Sequence, residues 1–111
     1  MYLHNRNTGN DFFELVEANR SRFPGGIVHS FTGTEEELQR CLKLDLFIGV
    51  NGCSLKSEEN IRVASLIPME RLMLETDSPY CEIKNTHASA PMVKTKFKGV
   101  PNNKFKMVTI N

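Results

Sequence analysis

Three side chains that commonly bind metal ions each follow a short apolar run of this sequence. His4 and His29 end two such runs, and Asp77 follows a third that spans residues 72–76. A fourth apolar run ends at Asn51, so that the four polar residues are separated by 25, 22 and 26 positions. Each step is about the length of one strand, one helix and two loops, and parallel strands of a barrel place such end residues on one rim. Two imidazoles and a carboxylate on that rim predict a metal site.

The chemistry of these three residues leaves several metal ions open. Neutral imidazole and carboxylate suit Zn²⁺, Mn²⁺ or Fe²⁺, and sites rich in carboxylates also bind Mg²⁺. Each residue also has a purely structural interpretation. A histidine at a strand end often forms its hydrogen bonds with neighbouring residues alone, and an aspartate before Ser78-Pro79 is suited to a turn. The recurrence of the pattern at matching strand ends favours a shared metal site.

Two basic residues near the predicted rim are candidates for binding phosphate. Arg6 lies two positions after His4 and could bind a phosphate through two hydrogen bonds, or be an exposed loop arginine. Lys56 precedes the predicted cap of a helix, so that its charge and the helix N-terminus could meet the same anion. An ordinary surface lysine is the alternative at that position.

Glu75 lies shortly before Asp77 in the same predicted strand. We expect its side chain to point to the opposite side of the strand from Asp77, toward the helices. This places Glu75 in a structural role, with an arginine as its candidate partner.

The elements that position these residues alternate between short apolar strands and helices of about ten residues. Helix starts are indicated by the capping box that begins at Thr34 and by Ser57. This alternation predicts an α/β fold with a parallel sheet and right-handed crossovers. A (β/α)₈ barrel needs about 250 residues, so the 111 residues correspond to about four βα units. From Ser78 onward the pattern gives way to irregular structure.

Charge is distributed unevenly, although the net charge is only +1. Residues 84–111 contain six lysines and no Asp or Glu, a pattern that suits either nucleic acid or a solvated terminus. The three cysteines are widely spaced and odd in number, which favours a reducing compartment, cytoplasm or nucleus. No signal peptide is visible in the sequence, and no apolar run is long enough to predict a membrane span.

Four stretches of the sequence resemble signature motifs of the TatD family of metal-dependent deoxyribonucleases, and the resemblance covers residues 1 to about 97. The stretches are Leu3-His4-Asn5-Arg6, Val28-His29-Ser30-Phe31-Thr32-Gly33, Ile48-Gly49-Val50-Asn51-Gly52-Cys53-Ser54-Leu55-Lys56 and Leu74-Glu75-Thr76-Asp77-Ser78-Pro79-Tyr80.

The resemblance implies a (β/α)₈ barrel whose divalent metal centre, Mg²⁺, Mn²⁺ or Zn²⁺ with two ions in a complete site, hydrolyses DNA phosphodiester bonds. It implies that His4 and His29 are metal ligands on the fifth and sixth barrel strands. Asp77, on the eighth strand, is then both a ligand and the catalytic partner of the attacking water.

The sequence departs from the family pattern at both ends. The His-x-His strand and the glutamate that bridges the metals would lie upstream of Met1, and residues 100–104 replace an Arg-Asn-Glu-Pro-like stretch. We therefore expect a C-terminal half-barrel over residues 1–97, an incomplete metal site, and a divergent, basic, poorly ordered tail over residues 98–111.

Two other functions are consistent with the sequence. A non-catalytic half-barrel would leave two sheet edges free for self-association or another partner. A different metallohydrolase, such as an amidohydrolase, could use the same barrel.

Overall fold

A computed structural model describes residues 1–95, which form an α/β unit with four short parallel strands. The strands are β1 (Tyr2–His4), β2 (Ile27–His29), β3 (Phe47–Val50) and β4 (Leu72–Leu74), and the α-helices are α1 (Asp11–Asn19), α2 (Glu35–Lys43) and α3 (Glu58–Ala64). Short 3₁₀ helices span Arg20–Arg22, Gly52–Leu55, Met69–Arg71 and Ala90–Met92. The basic tail expected over residues 98–111 lies outside the described residues.

The four strands pair in chain order, β1-β2-β3-β4, and every pair is parallel. The prediction of a parallel sheet from the strand and helix alternation is thereby confirmed. One residue of each strand lies in a single row across the sheet, consisting of Leu3, Val28, Ile48 and Leu72. All four contribute to the apolar core or pack against it.

The core lies between one face of the sheet and the helices. Its most deeply buried side chains come from α1, α2, α3, β2, β3 and the segment before β3, and they are Phe13, Leu38, Cys41, Val63, Val28, Ile48 and Leu46. Because strand side chains alternate between the two faces, this core fixes which residues face the other way. The residue that follows each member of this row therefore lies on the face away from the helices. These residues are His4, His29, Gly49 and Met73.

Side-chain caps fix the starts of two helices on the rim where the strands end. Thr34 accepts a hydrogen bond from the Glu37 N–H, and Glu37 accepts one from the Thr34 N–H, which completes the predicted capping box of α2. Ser57 caps α3 in the same way, with Asn60 as the reciprocal partner. Both start signals are confirmed.

The face of the sheet away from the helices is open. Tyr2 is 72% exposed, and Met73 is also exposed. A shallow depression of about 450 Å³ lies on this side, lined by Tyr2, Ile27, Phe47 and Met73 among others. Within residues 1–95, no helix has the length and apolar character needed to cross a membrane.

Candidate metal centre

His4 and His29 lie side by side at the carboxyl ends of neighbouring strands. They occupy paired positions of β1 and β2, and the centroids of their rings are 5.9 Å apart. Sequence spacing predicted that both imidazoles share one rim of the sheet, and the register of the two strands places them there. His4 is exposed, whereas His29 is half-buried.

Asp77 lies on the same rim, three residues after the end of β4. Its Oδ1 is 3.6 Å from Nε2 of His29, and its side chain is 39% exposed. The backbone carbonyl of Asp77 accepts a hydrogen bond of 2.7 Å from the Tyr80 N–H, so that residues 77–80 form a tight turn. The carboxylate is therefore both close to an imidazole and accessible to solvent.

The side chain of Glu75 points to the side of the strand opposite to the one expected from the sequence. Its carboxylate does not point toward the helices or pair with an arginine; it accepts hydrogen bonds from Nδ1 of His29, at 3.0 Å, and from the Ser30 N–H. The expectation was wrong because residues two positions apart in an extended segment face the same side. The alternate residues Met73, Glu75 and Asp77 therefore face the same side of the sheet. The Glu75 side chain is only 8% exposed.

Gly49 makes the contact between Glu75 and His29 possible. Gly49 lies on β3, between the strands that lead to His29 and Glu75. A Cβ atom at position 49 would be 2.7–2.8 Å from the Glu75 carboxylate, closer than real Cβ atoms approach other atoms. A glycine inside a strand often marks such a close approach, and it is the sequence signal that could have indicated this contact.

The loop after β2 is held by buried polar contacts. Ser30 has a positive φ of 53°, a conformation uncommon for non-glycine residues. Its N–H donates to Glu75, and its Oγ accepts a hydrogen bond of 2.8 Å from Nδ2 of Asn51. Asn51 is itself buried, and its Oδ1 accepts from the Cys53 N–H at 2.9 Å. Asn51 therefore connects the rim loops after β2 and β3.

The donor chemistry of His29 and Asp77 fits a divalent cation. The Glu75 carboxylate fixes the proton of His29 on Nδ1, which leaves the lone pair of Nε2 directed toward Asp77. Ligands at about 2.0–2.2 Å from one cation are separated by distances close to that between Nε2 and Oδ1. Within residues 1–95, no group of three or more His, Cys, Asp or Glu side chains is arranged to hold a metal ion. The described residues thus supply part of a site.

Arg6 and Lys56, the predicted phosphate-binding residues, are both exposed. The Lys56 carbonyl accepts a hydrogen bond from the Ala88 N–H at 2.9 Å, which fastens the segment after β4 to the loop that precedes α3. Binding of phosphate by either side chain stays a prediction.

Two thiols lie next to Asp77. The Sγ atoms of Cys53 and Cys81 are 2.7 Å apart, and Sγ of Cys81 is 3.7 Å from Oδ2 of Asp77. The hydrogen bond with Cys53, followed by burial and by the charges of Cys53 and Asp77, raises the pKa of Cys81 to about 11. Local sequence patterns do not indicate this pair, because 28 positions separate the two cysteines.

Replacing Glu75 with alanine is expected to release His29 from its Nδ1–H tautomer. Without the carboxylate, Nδ1–H loses its acceptor, and the ring proton can reside on Nε2 instead, as it mostly does in free histidine. The side-chain ¹⁵N chemical shifts of His29 report the tautomer directly. Gly49→Ala should produce the same change by displacing the carboxylate. Unchanged ¹⁵N shifts in both variants would contradict this role of Glu75.

Comparison with known proteins places these residues in a family. A family model described as "TatD related DNase" matches residues 1–107. The chain is 47% identical over 109 residues to the "Deoxyribonuclease Tat-D" of Schizosaccharomyces pombe, a match that covers 96% of this chain and 35% of the relative. It is 42% identical over 83 residues to the "3'-5' ssDNA/RNA exonuclease TatD" of Edwardsiella piscicida, covering 72% of this chain and 32% of the relative.

A solved structure agrees with these sequence matches. The crystal structure of a hydrolase TatD family protein from Entamoeba histolytica superposes with a TM-score of 0.86 at 40% identity, covering 96% of this chain and 35% of that protein. The chain spans about a third of the length of the curated relatives it matches. A family model that matches nearly the whole chain decides the assignment: the chain belongs to the TatD related DNase family.

Proposed function

We propose that this chain carries part of a metal-dependent hydrolase site that acts on the phosphodiester bonds of DNA, with the four strands corresponding to strands five to eight of a (β/α)₈ barrel. The observation that carries the proposal is the orientation of His29. Glu75 holds one ring nitrogen, and the other faces Asp77 at 3.6 Å. A carboxylate bound to the far nitrogen of an imidazole is the usual arrangement around metal-binding histidines.

Each proposed site residue has a distinct role. His29 and Asp77 would hold the divalent cation, Mg²⁺, Mn²⁺ or Zn²⁺, and His4 is proposed as the third ligand, although the three side chains do not form a ready-made cluster in residues 1–95. When bound, the cation lowers the pKa of water and neutralises charge on the phosphate. Asp77 accepts the proton of the attacking water, a role that its partial exposure permits. Arg6 and Lys56 are proposed to bind substrate phosphates. The name of the bacterial relative favours single-stranded DNA or RNA among the candidate substrates.

We propose that the chain alone binds cations weakly and hydrolyses DNA slowly or not at all. A two-metal centre requires a carboxylate that bridges the ions, and the described residues supply no cluster of three ligands. The proposed setting is a reducing one, cytoplasm or nucleus, because the three cysteines are odd in number and widely spaced along the chain.

Self-association is the second proposed property of this chain. Among residues 1–95, strands β1 and β4 form the two edges of the sheet, with unpaired backbone groups on their outer sides. Apolar side chains near these edges are strongly exposed, Tyr2 on β1 and Leu74, at 83%, on β4. Two copies could cover these edges and the open face. Light scattering that reports a monomer at high concentration would contradict this proposal.

A Mn²⁺ titration followed by NMR tests the proposed metal site. Weak binding is expected to broaden the ring resonances of His4 and His29 first, because the paramagnetic ion lies beside them. The amides of Lys43 and Leu44, which lie before β3 at the other end of the sheet, serve as the reference. Equal broadening at both ends would overturn the assignment of the ligands.

Incubation of the chain with single-stranded DNA and Mg²⁺, Mn²⁺ or Zn²⁺ measures activity separately. We expect little or no product, and a cyclic amide substrate tests the amidohydrolase alternative in parallel. Rapid cleavage of DNA would contradict the expectation that this chain holds an incomplete centre. Cleavage of the cyclic amide without cleavage of DNA would overturn the proposed substrate class.

A further inference from the structure

Cys53 and Cys81 form a pair of thiols that the proposed hydrolase function does not use. Cys53 belongs to the 3₁₀ helix after β3, whereas Cys81 follows the turn that contains Asp77. Their Sγ atoms are 2.7 Å apart, and both residues are half-buried. The fold therefore brings together two sulfur atoms from separate loops at the rim of the sheet.

The backbone holds the two loops in close contact. Gly52 packs directly on the Cys81 carbonyl and on the backbone of residues 82 and 83. Cys81 has a positive φ of 57°, a conformation that a non-glycine residue keeps only when its surroundings impose it. The contact between the thiols is thus built from the packing of both loops, and it does not depend on flexible side chains alone.

We propose that Cys53 and Cys81 are a site of reversible oxidative modification, at which a hydroperoxide converts the two thiols into an intramolecular disulfide. The Cys53 thiolate attacks the O–O bond, forming a sulfenic acid and releasing hydroxide. The second thiol attacks that sulfur, the S–S bond forms, and water leaves. With hydrogen peroxide, two thiols lose two electrons and two protons, and two water molecules result. Disulfides of reducing compartments are commonly transient or redox-sensing bonds of this type.

The third cysteine provides an internal reference for this chemistry. Cys41 lies in α2 with no exposed surface, and burial raises the pKa of its thiol to about 12. A hydroperoxide in solution cannot reach it while the chain is folded. Oxidation of the folded chain should therefore consume two of the three thiols and leave Cys41 reduced.

The disulfide would change the surroundings of Asp77. The Cys81 thiol lies 3.7 Å from Oδ2 of Asp77, and oxidation removes the S–H that points to this carboxylate. The new bond would also tie the turn of residues 77–80 to the loop after β3. This effect of the disulfide on Asp77 is local, and it does not depend on which ligand binds at the rim.

Oxidation of the reduced 111-residue chain by hydrogen peroxide, followed by mass spectrometry, tests the proposal. The expected product is a monomer that has lost two hydrogen atoms, with Cys53 linked to Cys81 and Cys41 open to alkylation after denaturation. Dithiothreitol should restore all three thiols. Proximity should make this pairing at least about tenfold more abundant than either other pairing. The same treatment in concentrated urea should give mixed pairings, because only the fold holds the two sulfurs together.

Variants separate the pair from the remaining cysteine. Cys53→Ser and Cys81→Ser should each abolish the intramolecular bond, whereas Cys41→Ala should retain it. The comparison of folded and urea-treated wild-type chain needs no variant, and it stands even if a substitution impairs folding. Mixed pairings in the folded chain, bonds only between chains, or separate sulfinic acids on the two cysteines would overturn the proposal.

Discussion

Replacing Asp77 with asparagine is expected to weaken Mn²⁺ binding by at least about tenfold, or ~1.4 kcal/mol. Asparagine keeps the shape of the side chain but removes the negative charge that faces His29 at 3.6 Å. Hard divalent cations prefer charged oxygen ligands, so the neutral amide is the poorer donor. The broadening of the His4 and His29 ring resonances during a Mn²⁺ titration measures the change.

Asp45→Asn is the matched control for the loss of one negative charge. Asp45 precedes β3, at the opposite end of the sheet from the candidate centre, and forms ion pairs with Arg20 and Arg71. We expect this variant to bind Mn²⁺ like the wild-type chain. Asp77 is partly exposed, and asparagine keeps the backbone hydrogen bond to the Tyr80 N–H, so a thermal melt should show that Asp77→Asn still folds. Equal loss of Mn²⁺ affinity in both variants would mean that Asp77 acts only through general charge.

The spacing of polar residues was sufficient to predict the arrangement of the sheet. Each of the four apolar runs contains an observed strand, and the strands pair in parallel and in sequence. This inference was possible because a strand, a helix and two loops require a nearly constant chain length. The helix caps at Thr34 and Ser57 were equally predictable from the sequence, because their hydrogen bonds involve residues three positions away.

Contacts between residues far apart in the sequence could not be predicted from spacing or capping patterns. The Glu75 carboxylate reaches His29, 46 positions away, and the two thiols of Cys53 and Cys81 meet across two loops. Such contacts depend on the register of neighbouring strands and on the space left by Gly49, which local patterns do not specify. Correct counting of strand parity would have placed Glu75 on the face of Asp77. It would not have identified its partner.

The partner of Glu75 also changes how the candidate centre is understood. The sequence pattern predicts His29 as one of three independent ligands. In the structure, the same carboxylate that orients His29 also binds the Ser30 N–H, and Ser30 contacts Asn51. The orientation of the imidazole therefore depends on a network across β2, β3 and β4. Preserving Asp77 and both histidines would not preserve the site if this network were broken.

Replacing Gly52 with alanine is expected to destabilise the chain by about 1–3 kcal/mol. The added methyl group would collide with the Cys81 carbonyl oxygen and come within 2.8 Å of the Glu82 carbonyl carbon and 2.9 Å of the Ile83 nitrogen. These neighbours are backbone atoms, which cannot rotate away as a flexible side chain can. The segment of residues 81–83 must therefore shift as a whole. Urea denaturation measures the loss in the free energy of unfolding.

Gly25→Ala is the matched control, since no heavy atom lies within 4 Å of a methyl group at that position. Its expected effect on the free energy of unfolding is within about 0.5 kcal/mol.

The shift of residues 81–83 in Gly52→Ala should also move Cys81 away from Cys53, because the Cys81 carbonyl is the group displaced. The variant should therefore form less of the internal disulfide under hydrogen peroxide, whereas Gly25→Ala should match the wild-type yield. Equal stability of the two glycine variants would show that the loops are not packed as closely as the structure indicates.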